Sequence, residues 1–158
     1  MKKPYIYYPA ILIFGWLLLG LTPVYGKSPV TFEREIIIIK TKNGKHSFNA
    51  EIAETKEQLE TGLMYRTSLA DDAAMFFIFK DNSKINMWMK DTMISLDMLF
   101  IDKQGKIVYI AKNTKTDSLN IITAGDKPVK AVLELKGGVS ESRNINIGDE
   151  VIYKGIMK

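Results

Sequence analysis

The chain has 158 residues, a net charge of +4 at pH 7, one histidine and no cysteine. This inventory excludes disulfides, thiol catalysis and zinc sites built from histidine and cysteine, because the chain lacks the groups that they require. A Ser-His-Asp triad would have to use His46, and no Gly-x-Ser-x-Gly sequence is present to expose its serine. The composition thus favours a non-catalytic protein, and we predict no cofactor and no metal ligands.

Residues 1–26 have the pattern of a secretory signal peptide. Lys2 and Lys3 precede an uncharged apolar run at 10–21, and a small-residue exit follows at 24–26. The run is about a dozen residues long, shorter than the ~20 that a membrane-spanning helix needs. We predict cleavage after Gly26 and a periplasmic or secreted protein that meets the membrane only through this segment before cleavage. An uncleaved anchor is the alternative.

Cleavage would leave residues 27–158 as one domain. It would also lower the net charge from +4 to +2, because two lysines and no acidic residue are removed. Charges of both signs and no basic stripe predict that the protein has no nucleic-acid partner.

The domain begins with a predicted β-hairpin. Residues 36–39 are a β-branched run of the kind found in strands that are covered on both faces. Asn43-Gly44 is a pair that favours two-residue hairpin turns. Residues 46–52 then alternate between two faces, as expected for the returning strand.

One short helix is predicted after this hairpin. Thr55, with Gln58 three residues later, forms a capping-box pattern, and Leu59 and Leu63 share one helix face. Gly62 inside such a helix costs about 1 kcal/mol relative to alanine. We therefore predict that another group packs closely against Gly62 or that the helix ends there.

The rest of the chain shows short strands separated by turns. The predicted strands are 75–79, 85–89, 96–101, 106–111, 129–135 and 150–156. Residues 112–128 are polar with little periodicity, and a loop of that length is often functional or mobile. The pattern predicts a mainly β fold, an antiparallel β-sandwich or partly open barrel of about eight short strands with one short helix.

The stretch 85–102 divides into two faces, because successive side chains of a strand point to opposite sides. We interpret the face that carries Met87, Met89 and Met98 as plain core, where methionine fills irregular gaps. The opposite face is mixed, and Lys130, Val132 and Glu134 of strand 129–135 extend it. This face carries Trp88, Lys90, Asp97 and Glu134.

The mixed face predicts a shallow pocket for a polar ligand. Asp97 lies in an apolar run, so we expect a largely buried carboxylate that needs a cationic partner, either Lys90 or Arg66. Trp88 would supply a flat floor, and Lys90, Asp97, Glu134 and Arg66 would bind the ligand. A saccharide or a cell-envelope fragment would suit such a surface.

Three other interpretations remain open. Asp97 and Glu134 could be the carboxylate pair of a glycan hydrolase, which requires them to lie ~5–9.5 Å apart. The domain could instead be purely structural or make protein contacts, with Asp97 holding a hairpin in register. The methionines could bind Cu(I) through their thioethers, although their place on the predicted core face argues against this.

Several stretches together resemble the domain of unknown function 192 family, a group of small bacterial and archaeal proteins that are often exported. They are EIAETKEQLETGLMYR, MFFIFKDN, NMWMKDTMISLDMLFIDKQGKIVYI, KPVKAVLELKGG and INIGDEV, between about Glu51 and Val151. The resemblance implies a compact β-rich domain with one short helix and no established activity. By position it implies a shared set of polar and aromatic residues, our candidate ligand-binding set: Arg66, Trp88, Lys90, Asp91, Thr92, Asp97 and Glu134.

Overall fold

The computed structural model describes residues 29–154. The predicted signal peptide lies outside them, as does the end of the last predicted strand. The strands are β1 (Glu33–Thr41), β2 (Gly44–Ala53), β3 (Ala73–Ser83), β4 (Asn86–Met87), β5 (Leu96–Ile101), β6 (Ile107–Ala111), β7 (Ile122–Thr123), β8 (Val129–Lys136) and β9 (Glu150–Ile152). The helices are α1 (Lys56–Thr61) and α2 (Val139–Ser142), and within residues 29–154 neither could cross a membrane.

Seven strands form one curled sheet in the order β6-β5-β8-β3-β2-β1-β9, and β4 and β7 form a small second sheet. The two edges of the large sheet meet where Lys106 bridges to Glu150 and the Val151 N–H donates to the Gly105 carbonyl at 2.7 Å. This confirms the predicted mainly β, partly open barrel. Neighbouring strands are antiparallel except β2 and β3, because the crossover through α1 brings β3 back in the direction of β2.

Side chains that point inward from all seven strands of the large sheet form the barrel core. Ile37 and Ile39 of β1, Phe76 of β3 and Leu133 of β8 are fully buried in it. The Tyr153 ring meets the Phe76 ring edge-on, with centroids 5.1 Å apart. Removal of this apolar surface from water is the main source of the fold's stability.

The outer face of β3, β5 and β8 is buried too, because α1, β4, β7 and the segments around them cover it. This second core includes Met75, Phe77, Met98, Phe100 and Val132. All six residues of β5 are buried, so the predicted division into one core face and one ligand-binding face is wrong for this strand. A strand that is covered on both sides has no solvent-facing positions to reveal its orientation.

The helix prediction is confirmed at both ends. Thr55 accepts a hydrogen bond from the Gln58 N–H at 3.3 Å, and Gln58 Oε1 accepts one from the Thr55 N–H at 3.0 Å. The helix ends at Gly62, whose φ is +47° and whose added Cβ would lie 3.1 Å from the Phe77 ring. Both predicted reasons for this glycine therefore apply.

Three local details differ from the sequence pattern. The first is that β7 (Ile122–Thr123) lies within the segment 112–128 that the pattern predicts as a loop. Thr41 pairs with Gly44, so the hairpin turn lies at Lys42-Asn43, one residue earlier than predicted. The pattern does not predict α2, because four residues are too few to show helical periodicity.

Candidate functional site

A small pocket lies outside the barrel, between the outer face of β3 and β8 and the segments that cover this face. Its volume is about 110 Å³. The end of α1, strand β3 and residues 86–92 contribute its walls, which combine apolar side chains with the polar residues Glu60, Thr61, Asn86, Lys90 and Thr92. The apolar wall residues are Leu59, Leu63, Met64, Phe77, Phe79 and Met87.

Glu134 of β8 lies at the base of this pocket, with 4% of its surface exposed. Its strand partners are Met75 on β3 and Met98 on β5, both fully buried. Within residues 29–154 its carboxyl group has no hydrogen-bond or salt-bridge partner. Burial raises the pKa of Glu134 to about 8, so the group is mostly a neutral acid at pH 7.

Gly62 shapes the wall that α1 contributes. Its positive φ turns the chain out of the helix, and the absence of a side chain lets the Phe77 ring approach closely. Phe77 also lines the pocket, so a larger residue at position 62 would displace this ring. The glycine that stands out in the sequence thus helps to shape the cavity.

Trp88 and Lys90 line the pocket where it opens to solvent. Trp88 is 48% exposed, and it lies at the rim and not on the floor that the sequence pattern predicts. Lys90 is exposed, and its Nζ lies 5.8 Å from the centroid of the Trp88 ring, within the range of a cation–π contact. The rim therefore combines a flat aromatic ring with a positive charge.

Thr92 holds the backbone at this rim. It is buried, and its hydroxyl donates to the Lys90 carbonyl oxygen at 3.0 Å. The Thr92 carbonyl accepts a hydrogen bond from the Asp117 N–H, and the Met89 N–H donates to the Ser118 carbonyl. The long loop 112–121 thus fixes the position of the segment that carries Trp88 and Lys90.

Asp91 connects this segment to the chain that follows α1. The Tyr65 hydroxyl donates to its carboxylate at 3.2 Å, and the Tyr65 N–H donates to its carbonyl oxygen at 2.8 Å. The hydrogen bond to Asp91 raises the pKa of Tyr65. Both residues have positive φ, 52° for Asp91 and 64° for Tyr65, and Asp91 does not line the pocket.

Asp97 lies on the opposite face of the sheet from Glu134. Glu134 pairs with Met98 and Asp97 pairs with Leu135, so the predicted common face of the two carboxylates is wrong. The fully buried carboxylate of Asp97 accepts hydrogen bonds from the Asn113 N–H at 2.8 Å and the Ser140 N–H at 2.9 Å. Backbone donors therefore take the place of the cationic partner that the sequence leads us to expect.

Arg66 also lies apart from the pocket. Its guanidinium binds Glu51 of β2 with N–O distances of 2.6 and 3.2 Å, and Arg34 binds the same carboxylate at 2.9 Å. Burial alone would raise the pKa of Glu51, but the hydrogen bonds and charges of Arg66 and Arg34 hold it below its ordinary value. Arg66 thus belongs to an ion-pair cluster that connects β1, β2 and the segment after α1.

The geometry bears on two of the alternative interpretations. Side chains on opposite faces of one sheet cannot flank a single glycosidic bond, so Asp97 and Glu134 do not form a hydrolytic pair. Met89 and Met98 are fully buried, as predicted for core residues, whereas Met87 is only half-buried and lines the pocket, so its predicted place in the core is wrong. Among residues 29–154 there is no group of three or more His, Cys, Asp or Glu residues that could hold a metal ion.

Of the predicted set, Trp88, Lys90, Thr92 and Glu134 line one cavity, whereas Arg66, Asp91 and Asp97 do not. The sequence reasoning missed the apolar walls from α1 and β3. Gly62 is the residue from which this wall could have been predicted, because a glycine in a predicted helix indicates that another group packs closely against it.

A larger hollow of about 510 Å³ lies between the β1–β2 turn and residues 144–150. It is open to solvent, and it contains charges of both signs, including a Lys106–Glu150 pair with an N–O distance of 3.7 Å. Its lining residues are exposed or half-buried except Thr41, whose hydroxyl already donates to the Gly44 carbonyl oxygen at 3.2 Å. The Glu134 pocket is therefore the better candidate site.

Comparison with known proteins places the chain in a family. Residues 38–153 match the DUF192 family, described as Uncharacterized ACR, COG1430. A structure from Sinorhizobium meliloti 1021, described as a candidate transcription regulator, is 37% identical, with a TM-score of 0.75 over 78% of this chain and 96% of that one. A protein of unknown function from Novosphingobium aromaticivorans DSM 12444 is 30% identical, with a TM-score of 0.75 over 83% of this chain and 89% of that one. No curated protein matches the sequence. The chain therefore belongs to the DUF192 family.

Proposed function

We propose that this domain is a non-catalytic binding protein that holds part of a small polar ligand in the Glu134 pocket. One observation carries the proposal: the carboxyl group of Glu134, a residue that is 4% exposed, has no partner among residues 29–154 and lines a cavity beside six apolar side chains. A buried polar group left without a hydrogen bond costs about 1–3 kcal/mol. A ligand that supplies the missing partner would recover this free energy, which gives a physical reason for an acid at this position.

The size of the pocket limits what can enter it. A cavity of about 150 Å³ holds one benzene molecule, and this pocket measures about 110 Å³. A whole saccharide ring is too large to be enclosed. A saccharide-like or envelope-derived ligand would insert one branch beside Glu134 and leave the rest against Trp88 and Lys90 at the rim.

The fluorescence of Trp88 provides a direct test. It is the only tryptophan outside the predicted signal peptide, since the chain has two and the other is Trp16. We expect a screen of small polar fragments against protein made from the full-length gene to yield fragments that change this fluorescence. Binding should be lost in Glu134→Gln and kept in Glu141→Gln, an exposed carboxylate on α2.

Two results would count against the binding proposal. One is a screen in which no fragment binds the wild type. The other is a set of fragments that bind Glu134→Gln as well as they bind the wild type, because the buried carboxyl would then have no part in recognition. Circular dichroism of each variant shows whether a loss of binding reflects a loss of fold.

We also propose that the domain acts after export, because residues 1–26 have the charge and apolar pattern of a cleavable signal. Protein recovered from the envelope or medium of the native host should begin at Lys27. Intact mass measurement distinguishes this form from the full-length chain, and a cytoplasmic protein that keeps residues 1–26 would overturn the proposal.

A further inference from the structure

We infer that the Glu134 pocket recognises a primary ammonium group on a short alkyl chain, and that Lys90 binds an anionic group at the other end of the same molecule. This inference rests on the proposed binding function and adds the chemical class of the ligand to it.

The apolar side chains of the wall favour an alkyl chain over a polyol in the part of the pocket that they line. Thr92 and Glu134 are the buried polar side chains of the lining, and the Thr92 hydroxyl already donates to the Lys90 carbonyl oxygen. Hydroxyl groups placed beside Leu63 or Phe77 would lose their hydration without gaining a partner. Methylene groups at the same places would gain from burial.

The base of the pocket favours a cationic donor at the tip of this chain. The Glu134 carboxyl has no partner among residues 29–154, and an ammonium group can donate up to three hydrogen bonds while it supplies the counter-charge. Phe77, Phe79 and Trp88 also line the pocket, and the faces of aromatic rings attract cations. By comparison with the benzene cavity, the volume of about 110 Å³ has room for roughly four to five heavy atoms, enough for one nitrogen and a chain of three or four carbons.

The mouth of the pocket favours a second, negative group. Lys90 is exposed, and within the described residues its Nζ forms no salt bridge and contacts the Trp88 ring at 5.8 Å. This charge repels a simple amine and attracts a carboxylate or phosphate. A molecule with an ammonium at one end and an anion at the other matches both ends of the site.

Few other charged groups face Glu134 from the elements around it. Glu60 of α1 lines the pocket but is exposed, with an oxygen 3.9 Å from the Nζ of a lysine one turn earlier. On β2, Glu51 is held by two arginines, and on β8 itself Lys136 is bound to an aspartate at 2.8 Å. The pH dependence of binding should therefore follow Glu134.

An ammonium ligand requires the ionised form of Glu134. Since the pKa of this group is about 8, binding at pH 7 should release about 0.9 proton per ligand. The association constant should rise roughly tenfold per pH unit below pH 8 and level off above it. A neutral ligand that accepts a hydrogen bond from the protonated acid would show the opposite trend.

The test uses calorimetric titration of protein made from the full-length gene with four probes: δ-aminovalerate (an ammonium and a carboxylate joined by four methylenes), pentylamine, pentanol and N-acetylglucosamine. We expect δ-aminovalerate to bind most tightly and to release protons, as judged from buffers that differ in ionisation enthalpy. Glu134→Gln should weaken it at least 50-fold, and Glu141→Gln should leave it unchanged. Lys90→Gln should weaken the binding of δ-aminovalerate about tenfold, and it should leave the binding of pentylamine equal or tighter because a repelling charge is removed.

The outcomes separate this inference from the binding proposal. If pentanol or N-acetylglucosamine binds through Glu134 without proton release while both amines fail, the ammonium inference is overturned and the binding proposal stands. If pentylamine binds as tightly as δ-aminovalerate, the role of Lys90 is overturned. If none of the four probes binds the wild type, the inference fails, and the fragment screen decides separately on the binding function.

Glu134→Met, which replaces the acid with an apolar side chain of similar length, provides a second variant that should fold and should not bind.

Discussion

Asp97 and Glu134 are buried carboxyl groups on neighbouring strands, yet their surroundings differ in one decisive respect. Asp97 faces the barrel interior and accepts backbone hydrogen bonds at 2.8 and 2.9 Å. Glu134 faces outward and, within residues 29–154, has no partner although it lines a cavity. Both groups lose hydration on folding, but the chain compensates this loss only for Asp97. Satisfaction of hydrogen bonds, rather than burial, therefore distinguishes a structural carboxylate from a candidate binding group.

Glu51 extends this comparison along the outer face. Glu51, Met75, Glu134 and Met98 form a continuous cross-strand row over β2, β3, β8 and β5. The two glutamates of this row lie on either side of one methionine. Two arginines bind Glu51 and lower its pKa, whereas burial raises the pKa of Glu134. The same residue type on the same face thus has an ion-pair role at one position and is available to a ligand at the other.

The largest effect should follow the removal of the Asp97 charge. Asp97→Asn loses two charge-assisted hydrogen bonds, each worth about 1.5–3 kcal/mol, and it turns an amide toward backbone N–H groups. We expect the free energy of unfolding in urea to fall by about 3–5 kcal/mol. Asp126→Asn, at an exposed position, is the matched control and should change stability little. A loss below about 1 kcal/mol for Asp97→Asn would contradict its structural role.

The second-largest effect should be a pH dependence of the free energy of unfolding that comes from Glu134. A folded-state pKa of about 8, against a reference value of 4.5, means that the folded state prefers the protonated acid. The resulting contribution is fully present below about pH 4.5 and is lost as the pH rises to 8. The loss between pH 5 and pH 8 should be about 3 kcal/mol.

This pH effect is measured by urea unfolding of wild type and Glu134→Gln across that range. The difference between the two proteins should be near zero at pH 5 and should grow toward pH 8 in favour of the glutamine variant. Parallel curves would show that Glu134 ionises without penalty, which would remove its contrast with the satisfied carboxylates.

A smaller gain is expected from an apolar side chain at the same position. Glu134→Met at pH 5 removes a buried, unsatisfied acid and continues the apolar surface of Met75 and Met98. The expected stabilisation is about 1–2 kcal/mol. The melting temperature of this variant, compared with that of Glu134→Gln at the same pH, measures the effect. A lower melting temperature for the methionine variant would indicate that the acid has a partner within the protein.

The smallest effect should come from Arg66. Arg66→Gln removes the two hydrogen bonds from the guanidinium to Glu51. This ion pair is partly exposed to solvent, since 39% of the arginine side chain is accessible. We expect a loss of about 1 kcal/mol in the free energy of unfolding and unchanged affinity for δ-aminovalerate. Lys90→Gln should show the converse, unchanged stability and weaker binding. Weaker binding by Arg66→Gln would place this residue in the site after all.

Much of the fold can be read from local patterns. The capping box at Thr55 and Gln58, the strand 96–101 and the hairpin near Asn43 all appear where the sequence predicts them. These features depend on hydrogen bonds and side-chain alternation among residues that are close in the chain. For the same reason, the assignment of Glu134 and Asp97 each to one face of its own strand could be made from alternation alone.

The register between neighbouring strands, which decides which of their faces coincide, could not be predicted from alternation. Alternation divides β5 and β8 into two faces each, but the pairing of Met98 with Glu134 selects which faces coincide. The register depends on long-range pairing, and a shift of one residue would have placed Asp97 beside Glu134. The apolar wall supplied by Gly62 and Phe77 likewise exists because α1 packs over β3. Local sequence thus specifies the acid on β8, whereas tertiary packing leaves that acid without a partner among residues 29–154 and forms the cavity beside it.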